Sequence, residues 1–167
     1  MTYCGNHVLA DNYMIEYVAG DSVTSMKEPE ENLLLINTEE GITGLGHNSS
    51  VVGPDLDSRY IVYHNLVSNT NAPERRLNID RMVFNGEKLE VQGPTWWEMD
   101  NPKMPEFYDR MENGNNWDTI AGTGTAADNV MTLTGSSELR SKDSTPSDYT
   151  AEFNLAVSDY AAGSQAG

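Results

Sequence analysis

Cysteine is almost missing from this sequence: Cys4 is the only one in 167 residues. A disulfide within the chain and a cysteine-built zinc cluster are therefore excluded, and cysteine usage leaves the compartment open. Basic residues are scarce as well, with 10 Lys and Arg against 26 Asp and Glu and a formal net charge of −16. Through Asp100 there are 16 acids and 6 bases, and beyond it 10 acids and 4 bases. Both halves are acidic, so the charge is not a tail on a neutral domain. Phosphate binding needs a basic face, which makes nucleic acid a poor partner, and an anionic membrane surface is disfavoured for the same reason. A neutral ligand such as a sugar is compatible with this charge, and so is the plain reading of a soluble protein from an acidic proteome.

Long apolar runs are absent too. The longest strongly apolar one is Leu33 to Ile36, far short of the roughly 20 residues of a membrane-spanning helix. The opening Met1-Thr2-Tyr3-Cys4-Gly5-Asn6 has neither the basic region nor the apolar stretch of a secretory leader. No helical periodicity persists beyond two turns. No G-x-S-x-G nucleophile elbow and no Gly-rich phosphate loop before a helix occurs. What the chain does have is aromatic residues, three Trp, eight Tyr and three Phe, which argue for a packed core rather than disorder.

The remaining pattern is β. Tyr13 to Ala19 is rich in β-formers and follows an Asp11-Asn12 turn signal. Asn32 to Ile36 reads as a short buried strand. Tyr60 to His64 is the clearest strand, aromatic and β-branched, after a Gly53-Pro54-Asp55 turn. Leu77, Ile79 and Val83 recur with period two, which predicts that they face the core while Asn78 and Asp80 face away. Asn85-Gly86 is a hairpin signal, with Lys88 to Gln92 as the returning strand.

Prolines 94, 102 and 105 punctuate residues 93–105 and oppose a continuing sheet there. Beyond them, Asn113 to Asn116 reads as a turn and Gly122 to Asp128 as a loop. Asn129 to Thr134 and Ser137 to Ser141 read as short strands. Ala151, Phe153, Leu155 and Val157 alternate with polar residues, which predicts a half-buried strand of a β-sandwich. About 60 residues is short for a sandwich of around 100, so truncation at the C-terminus is expected, and the strand at Thr2 to Cys4 suggests a cut N-terminus.

Several segments occur together in one order. They are Tyr3-Cys4-Gly5-Asn6-His7 running on through Tyr13 to Asp21; Gly44-Leu45-Gly46-His47-Asn48-Ser49-Ser50; Tyr60 to His64; Arg75-Arg76-Leu77-Asn78-Ile79-Asp80; and Gly93-Pro94-Thr95. Over residues 1–98 this resembles the closing part of the five-bladed β-propeller of glycoside hydrolase family 43. Residues 106–160 look like the accessory β-sandwich behind many such propellers. The resemblance implies an all-β chain, the last blades of a partial five-bladed propeller over 1–98, a linker over 99–105 and the start of a truncated, jelly-roll-like sandwich over 106–167.

It also implies hydrolysis of O-glycosidic bonds in xylose- or arabinose-containing saccharides. The inverting mechanism sets a general base and a general acid about 6.5–9.5 Å apart, and a third carboxylate tunes the acid. In the family these carboxylates precede the segment that matches Tyr3. No catalytic residue maps onto this chain, and a fragment of this extent is expected to be inactive by itself. A secreted or periplasmic parent is implied. The Arg75 to Asp80 strand leans towards the β-xylosidase and α-L-arabinofuranosidase members.

Of the family's binding residues, His47 maps to the propeller axis, where it helps hold a central metal ion, often calcium, or its water shell. Calcium prefers oxygen ligands, so contact through water is expected. Gly44 and Gly46 would let the backbone approach the axis. The plain alternative is a histidine in a Gly-rich turn. Arg75 maps to a strand start that points at a sugar hydroxyl or a catalytic carboxylate; Arg76 next to it leaves the choice between the two open, because alternate residues face opposite sides, and a solvated basic pair is the plain alternative. The remaining candidates are better read as structural. His64 is expected to pack between blades, His7 to sit in a loop and Trp96 and Trp97 to pack rather than stack on sugar. Glu39, Glu40, Asp55 and Asp57 are expected to be solvated. Two competitors remain: a non-catalytic carbohydrate-binding module, and a structural β domain without sugar affinity. Binding to xylan or arabinan separates them.

Overall fold

The computed structural model describes residues 1–68, 70, 73–159 and 161–165, and every described element of regular structure is a β-strand. The chain divides into two compact units, Met1–Glu106 and Phe107–Gly167.

In the first unit, β1 (Thr2–Gly5), β2 (Met14–Tyr17) and β3 (Leu33–Ile36) form an antiparallel three-stranded sheet in chain order. β4 (Thr43–Val52), β5 (Arg59–Leu66), β6 (Arg75–Asn85) and β7 (Lys88–Val91) form an antiparallel four-stranded sheet, also in chain order. Each sheet is thus a simple meander, and the sequence marks the short turns of the second one, between β4 and β5 and between β6 and β7. At the β4–β5 turn, Asp55 accepts hydrogen bonds from the Ser58 backbone (2.9 Å), the Ser58 hydroxyl (2.6 Å) and the Asp57 backbone (3.2 Å). At the β6–β7 hairpin, Asn85 pairs with Lys88, so the loop is Gly86-Glu87, and Gly86 supplies the positive φ that the turn needs. This is one residue later than the Asn-Gly signal suggests.

The two sheets share one core. Ile15 and Tyr17 of β2 and Leu34 and Leu35 of β3 pack with Leu45, Ile61, Tyr63, Met82 and Leu89 of β4 to β7. Burying each side chain of this size contributes about 1.5–3 kcal/mol. That outweighs the exposed ion pairs of Lys88 with Glu31 (2.7 Å) and Glu90 (3.3 Å), because solvent and side-chain entropy cancel most of such pairing. Polar links also tie the layers, among them the Leu89 N–H, which donates to Tyr17 Oη at 3.3 Å. The architecture is all-β and partly propeller-like, two successive antiparallel meanders packed on one apolar layer.

Strand β6 overturns the expected facing. Its alternation is real, but the buried row is the opposite one. Asp80 is 3% exposed and Met82 is buried, whereas Leu77 is 79% and Ile79 48% exposed. Asp80 tolerates the core because it is saturated with donors. Tyr63 Oη donates to its Oδ2 at 2.5 Å, Thr95 Oγ1 to its Oδ1 at 2.6 Å and the Thr95 N–H to Oδ2 at 3.3 Å. A buried carboxylate is costly unless paired in this way. Gly93 belongs to the same arrangement, since a Cβ there would lie 2.2 Å from Asp80 Oδ2.

In the second unit, β8 (Trp117–Ala127) and β9 (Val130–Ser141) make a two-stranded antiparallel ribbon. The two short strands expected within 129–141 are one, and Gly122 to Ala127 is strand rather than loop. The reason is the turn between them: Asp128 and Asn129 both take positive φ, 53° and 61°, as a two-residue type I′ hairpin requires. Such a turn feeds both arms into pairing whatever their strand propensity. The base of the ribbon is fixed by Asp109, which accepts from the Met111 N–H (2.7 Å), Trp117 Nε1 (2.7 Å) and Asn116 Nδ2 (3.2 Å). The ring of Phe107 meets Trp117 edge-on at 5.8 Å. Burial raises the Asp109 pKa, but these hydrogen bonds outweigh it and hold the carboxyl below its usual range. The strand expected over residues 150–157 does not form: the segment is irregular and its apolar side chains are exposed. None of the described strands lies beside it to take its backbone hydrogen bonds.

Candidate functional site

β4 is longer than the strand it pairs with can match. Thr43 pairs with Leu66, Gly46 with His64 and Ser49 with Val62, so three β4 residues twice stand against two of β5. The surplus is taken up by two bulges, which kink a strand and re-aim its side chains. Gly44 lies in the first, with φ of 64°, and His47 in the second, with φ of 52°. A left-handed conformation is routine for glycine and uncommon for histidine.

The glycines serve close packing. A Cβ on Gly44 would fall 2.3 Å from Leu66 Cγ, and one on Gly46 would fall 2.1 Å from Tyr13 Cε1. Leu66 and the Tyr13 ring therefore lie directly on the β4 backbone. The bulge is also held from β1. The His47 N–H donates to Cys4 Sγ at 3.0 Å, Asn48 Nδ2 approaches the same sulfur at 3.6 Å, and Thr2 Oγ1 donates to Asn48 Oδ1 at 2.5 Å.

These constraints leave the His47 side chain exposed at a pocket of about 260 Å³ lined by His47, Ser49, Val62, Tyr63, His64, Arg75 and Leu77. The two sequence-predicted binding residues, His47 on β4 and Arg75 at the start of β6, thus line one pocket although they are 28 positions apart (75 − 47). The sheet register explains it: Arg75 pairs with Leu66 and Leu77 with His64, on β6, with β5 alone between it and the bulged β4. Val62 and Leu77 give the pocket an apolar wall, and Ser49, His47 and Arg75 give it polar groups. A small number of placed polar groups on an apolar wall is the usual make-up of a ligand site.

His64 occupies the inner part. It is 8% exposed, and among the described residues its Nε2 is buried without a hydrogen-bond partner. Its ring lies 6.1 Å from that of His47 and 6.3 Å from that of Tyr13. Burial, then the positive charge of Arg75, then His47 hold its pKa below the ordinary value. Burial, aided by the Cys4 hydrogen bond, pushes Tyr13 up to about 12. The inner pocket therefore holds a neutral imidazole at neutral pH, with the protonated Tyr13 phenol near it but outside the lining.

The other sequence candidates lie elsewhere. His7 is in an exposed loop, where its Nδ1 accepts from the Leu9 N–H at 3.2 Å. Trp96 and Trp97 are half-exposed and meet edge-on at 4.8 Å. Glu39, Glu40 and Asp57 are exposed, and Asp55 is engaged in its turn. None of these lines the pocket, and no carboxylate does. Sequence reading missed His64 as a lining residue, along with Ser49, Val62 and Leu77. The signal for Leu77 was available in the strand pairing, since a residue opposite His64 must share its face. Among the described residues no three His, Cys, Asp or Glu side chains gather to hold a metal ion. No helix among them is long and apolar enough to cross a membrane.

No protein-family profile matches the chain. The chain is similar to a thermostable family-43 glycoside hydrolase of known structure, with 31% sequence identity and a TM-score of 0.56 over 61% of this chain and 34% of that one. It is also 39% identical over 84 residues to a β-D-galactofuranosidase (xynD) of Aspergillus niger, covering 48% of this chain. The chain spans about a quarter of that relative, 24% of its length. The fold and the sequence are thus those of a family-43-like stretch, which agrees with the resemblance carried by the motifs.

Proposed function

We propose that this family-43-like chain carries part of the sugar-binding surface of a glycoside hydrolase. The observation that carries the reading is the β4 bulge: Gly44 and Gly46 let Leu66 and Tyr13 close on the backbone, and the strained His47 is delivered to one pocket with Arg75. Strain of this kind is retained where the surroundings over-determine it, often at sites of function. Arg75 and Ser49 supply donors for sugar hydroxyls, and Val62 and Leu77 an apolar wall for a ring face.

In this reading the reaction is single displacement with inversion on a xylose- or arabinose-containing saccharide. The name of the Aspergillus relative adds galactofuranosides to the candidates. Glycoside cleavage needs a pair of carboxylates, and the pocket lining contains none. The acid and base are therefore assigned to parts of a longer protein, one of which the chain would be a piece, secreted or periplasmic like an enzyme acting on external polysaccharide. Calcium takes six to eight oxygen ligands. The pocket offers two imidazoles and the Ser49 hydroxyl, so it does not fit direct coordination, and only a water on His47 would meet the ion.

A second reading, a non-catalytic carbohydrate-binding module, is favoured by the same carboxylate-free lining. Two measurements separate the readings. The chain is run through gels containing arabinoxylan or arabinan, where retardation that is lost in His47→Ala supports sugar binding at this pocket. The full-length gene product is assayed on p-nitrophenyl β-D-xyloside, α-L-arabinofuranoside and β-D-galactofuranoside. Turnover that falls with His47→Ala supports the hydrolase. A folded but inert product that still binds polysaccharide leaves the binding module.

A further inference from the structure

Tyr13 stands immediately before β2 and outside the pocket lining, yet it reaches both pocket histidines. Gly46 pairs with His64 across β4 and β5, and the Tyr13 ring lies against that pair. A Cβ on Gly46 would fall 2.3 Å from Tyr13 Cζ and 2.4 Å from its Oη, and the His64 ring is 6.3 Å away, tilted by 35°. The hydroxyl end of Tyr13 meets the bulge itself. It donates to Cys4 Sγ and faces the backbone N–H of His47, and that N–H donates to the same sulfur at 3.0 Å. Tyr13 is fixed in turn by its own N–H, which donates to the Ala10 carbonyl at 3.0 Å, and by Asn6 Nδ2, which donates to the Asn12 carbonyl at 2.9 Å. A histidine at φ of 52° persists only where its surroundings over-determine it. Tyr13 supplies two such constraints: a ring that leaves no room for a side chain at 46, and a hydroxyl within the sulfur-centred hydrogen bonds of the bulge.

We propose that Tyr13 is a positioning residue for the pocket, its hydroxyl fixing the left-handed backbone that presents His47. This rests on the sugar-binding reading and adds to it a residue that touches no sugar. Tyr13 is buried, so it acts through His47. A phenylalanine at 13 keeps the ring and its fit against Gly46 and removes the hydroxyl alone. Tyr17 is the matched control. It is buried as well, and its hydroxyl accepts from the Leu89 N–H of β7 rather than serving the bulge.

The test compares the chain with Tyr13→Phe and Tyr17→Phe by NMR and by retardation in arabinoxylan gels. In Tyr13→Phe the His47 amide is expected to exchange with solvent about fivefold faster relative to the amides of β5, the equivalent of one hydrogen bond. The His47 imidazole signal shifts, that of the exposed His7 does not, and retardation weakens. In Tyr17→Phe these readings stay at the parent values, whatever the loss of overall stability. A His47 that ignores Tyr13→Phe, or responds equally to Tyr17→Phe, overturns the positioning role. The parent chain gives a check that needs no variant: a slowly exchanging Tyr13 hydroxyl proton with a cross-peak to the His47 amide is expected. A hydroxyl as labile as that of the exposed Tyr149 overturns the proposal. A His47 response without weaker retardation overturns the link to sugar binding. No retardation of the parent chain overturns the sugar-binding reading, while the exchange rates still decide whether Tyr13 positions His47.

Discussion

The backbone N–H of His47 donates to the sulfur of Cys4 at 3.0 Å, across 43 positions of sequence and from one sheet to the other. The single cysteine of the chain is thus part of what holds the β4 bulge. It accepts a hydrogen bond from the residue whose strained backbone forms the pocket rim, and Asn48 approaches the same atom. Cys4→Ala removes the acceptor, with an expected cost of about 1 kcal/mol, the net worth of one hydrogen bond whose donor water partly re-solvates. Cys4→Ser keeps an acceptor on a smaller atom and is expected to lose less. Urea unfolding measures both. The same two variants ranked in the same order in polysaccharide gels would show that Cys4 positions His47 rather than only stabilising the fold.

Tyr13 and Gly46 form a second pair whose consequence is steric. The Cβ of an alanine at 46 would lie 2.1 Å from Tyr13 Cε1 and 2.4 Å from its Oη. Gly46 has no positive φ, so its replacement tests space alone, whereas Gly44 combines a 2.3 Å approach to Leu66 with φ of 64°. Overpacking of this kind costs about 1–3 kcal/mol. Gly46→Ala is expected at the top of that range. In the double variant with Tyr13→Ala the clash disappears, so the summed loss is smaller than that of the two single variants added. Additive losses in a double-mutant cycle would show that the ring is not what excludes the side chain.

Asp80 is the most consequential buried polar group. Asp80→Ala leaves the Tyr63 hydroxyl and the Thr95 hydroxyl and N–H without their acceptor; the buried Tyr63 donor costs about 1–3 kcal/mol, and the half-buried Thr95 donors add to it. Thermal melts should therefore show a larger loss for Asp80→Ala than for Tyr63→Phe, which removes one donor and leaves two on the carboxylate. A Tyr63→Phe variant as unstable as Asp80→Ala would contradict this ordering.

How far the sequence foretells this structure differs between strands. Tyr60 to His64 and Leu33 to Ile36 are legible because β-branched and aromatic residues fit a half-buried pleat. The pocket pair His47 and Arg75 is legible through family motifs, not through spacing. β6 is where reading fails. Its two rows, Leu77 with Ile79 and Asp80 with Met82, both alternate, and hydropathy favours the wrong one. The decisive partners of Asp80 are Tyr63, 17 positions before it, and Thr95, 15 positions after, and periodicity does not see them. The Gly122 to Ala127 arm was hidden for a different reason. Its composition is that of a loop, and the Asp128-Asn129 turn overrides it by imposing the hairpin. Cys4 is opaque because a thiol acceptor leaves no pattern.

The buried ring groups give the fold a stability profile against pH with two edges. Burial, then Arg75, then His47 lower the pKa of His64 in the folded state. The unfolded chain, with an ordinary histidine near about 6.5, therefore takes up the proton first as the pH falls. The His64 contribution is full above that value and is lost as the pH drops through the folded one. Tyr13 has the opposite sign. Burial, then Cys4, raise it to about 12, while Tyr63 is raised by burial and by Asp80. An unfolded tyrosine ionises near about 10, so stability is full below that pH and falls as the pH rises above it. Urea midpoints measured across pH should decline on both sides. His64→Phe should flatten the acid side and leave the alkaline side, because it removes the imidazole and not the phenols. Tyr13→Phe should soften only the alkaline side. A parallel shift of the whole curve in either variant, with its shape unchanged, would mean that neither group is the source of its edge.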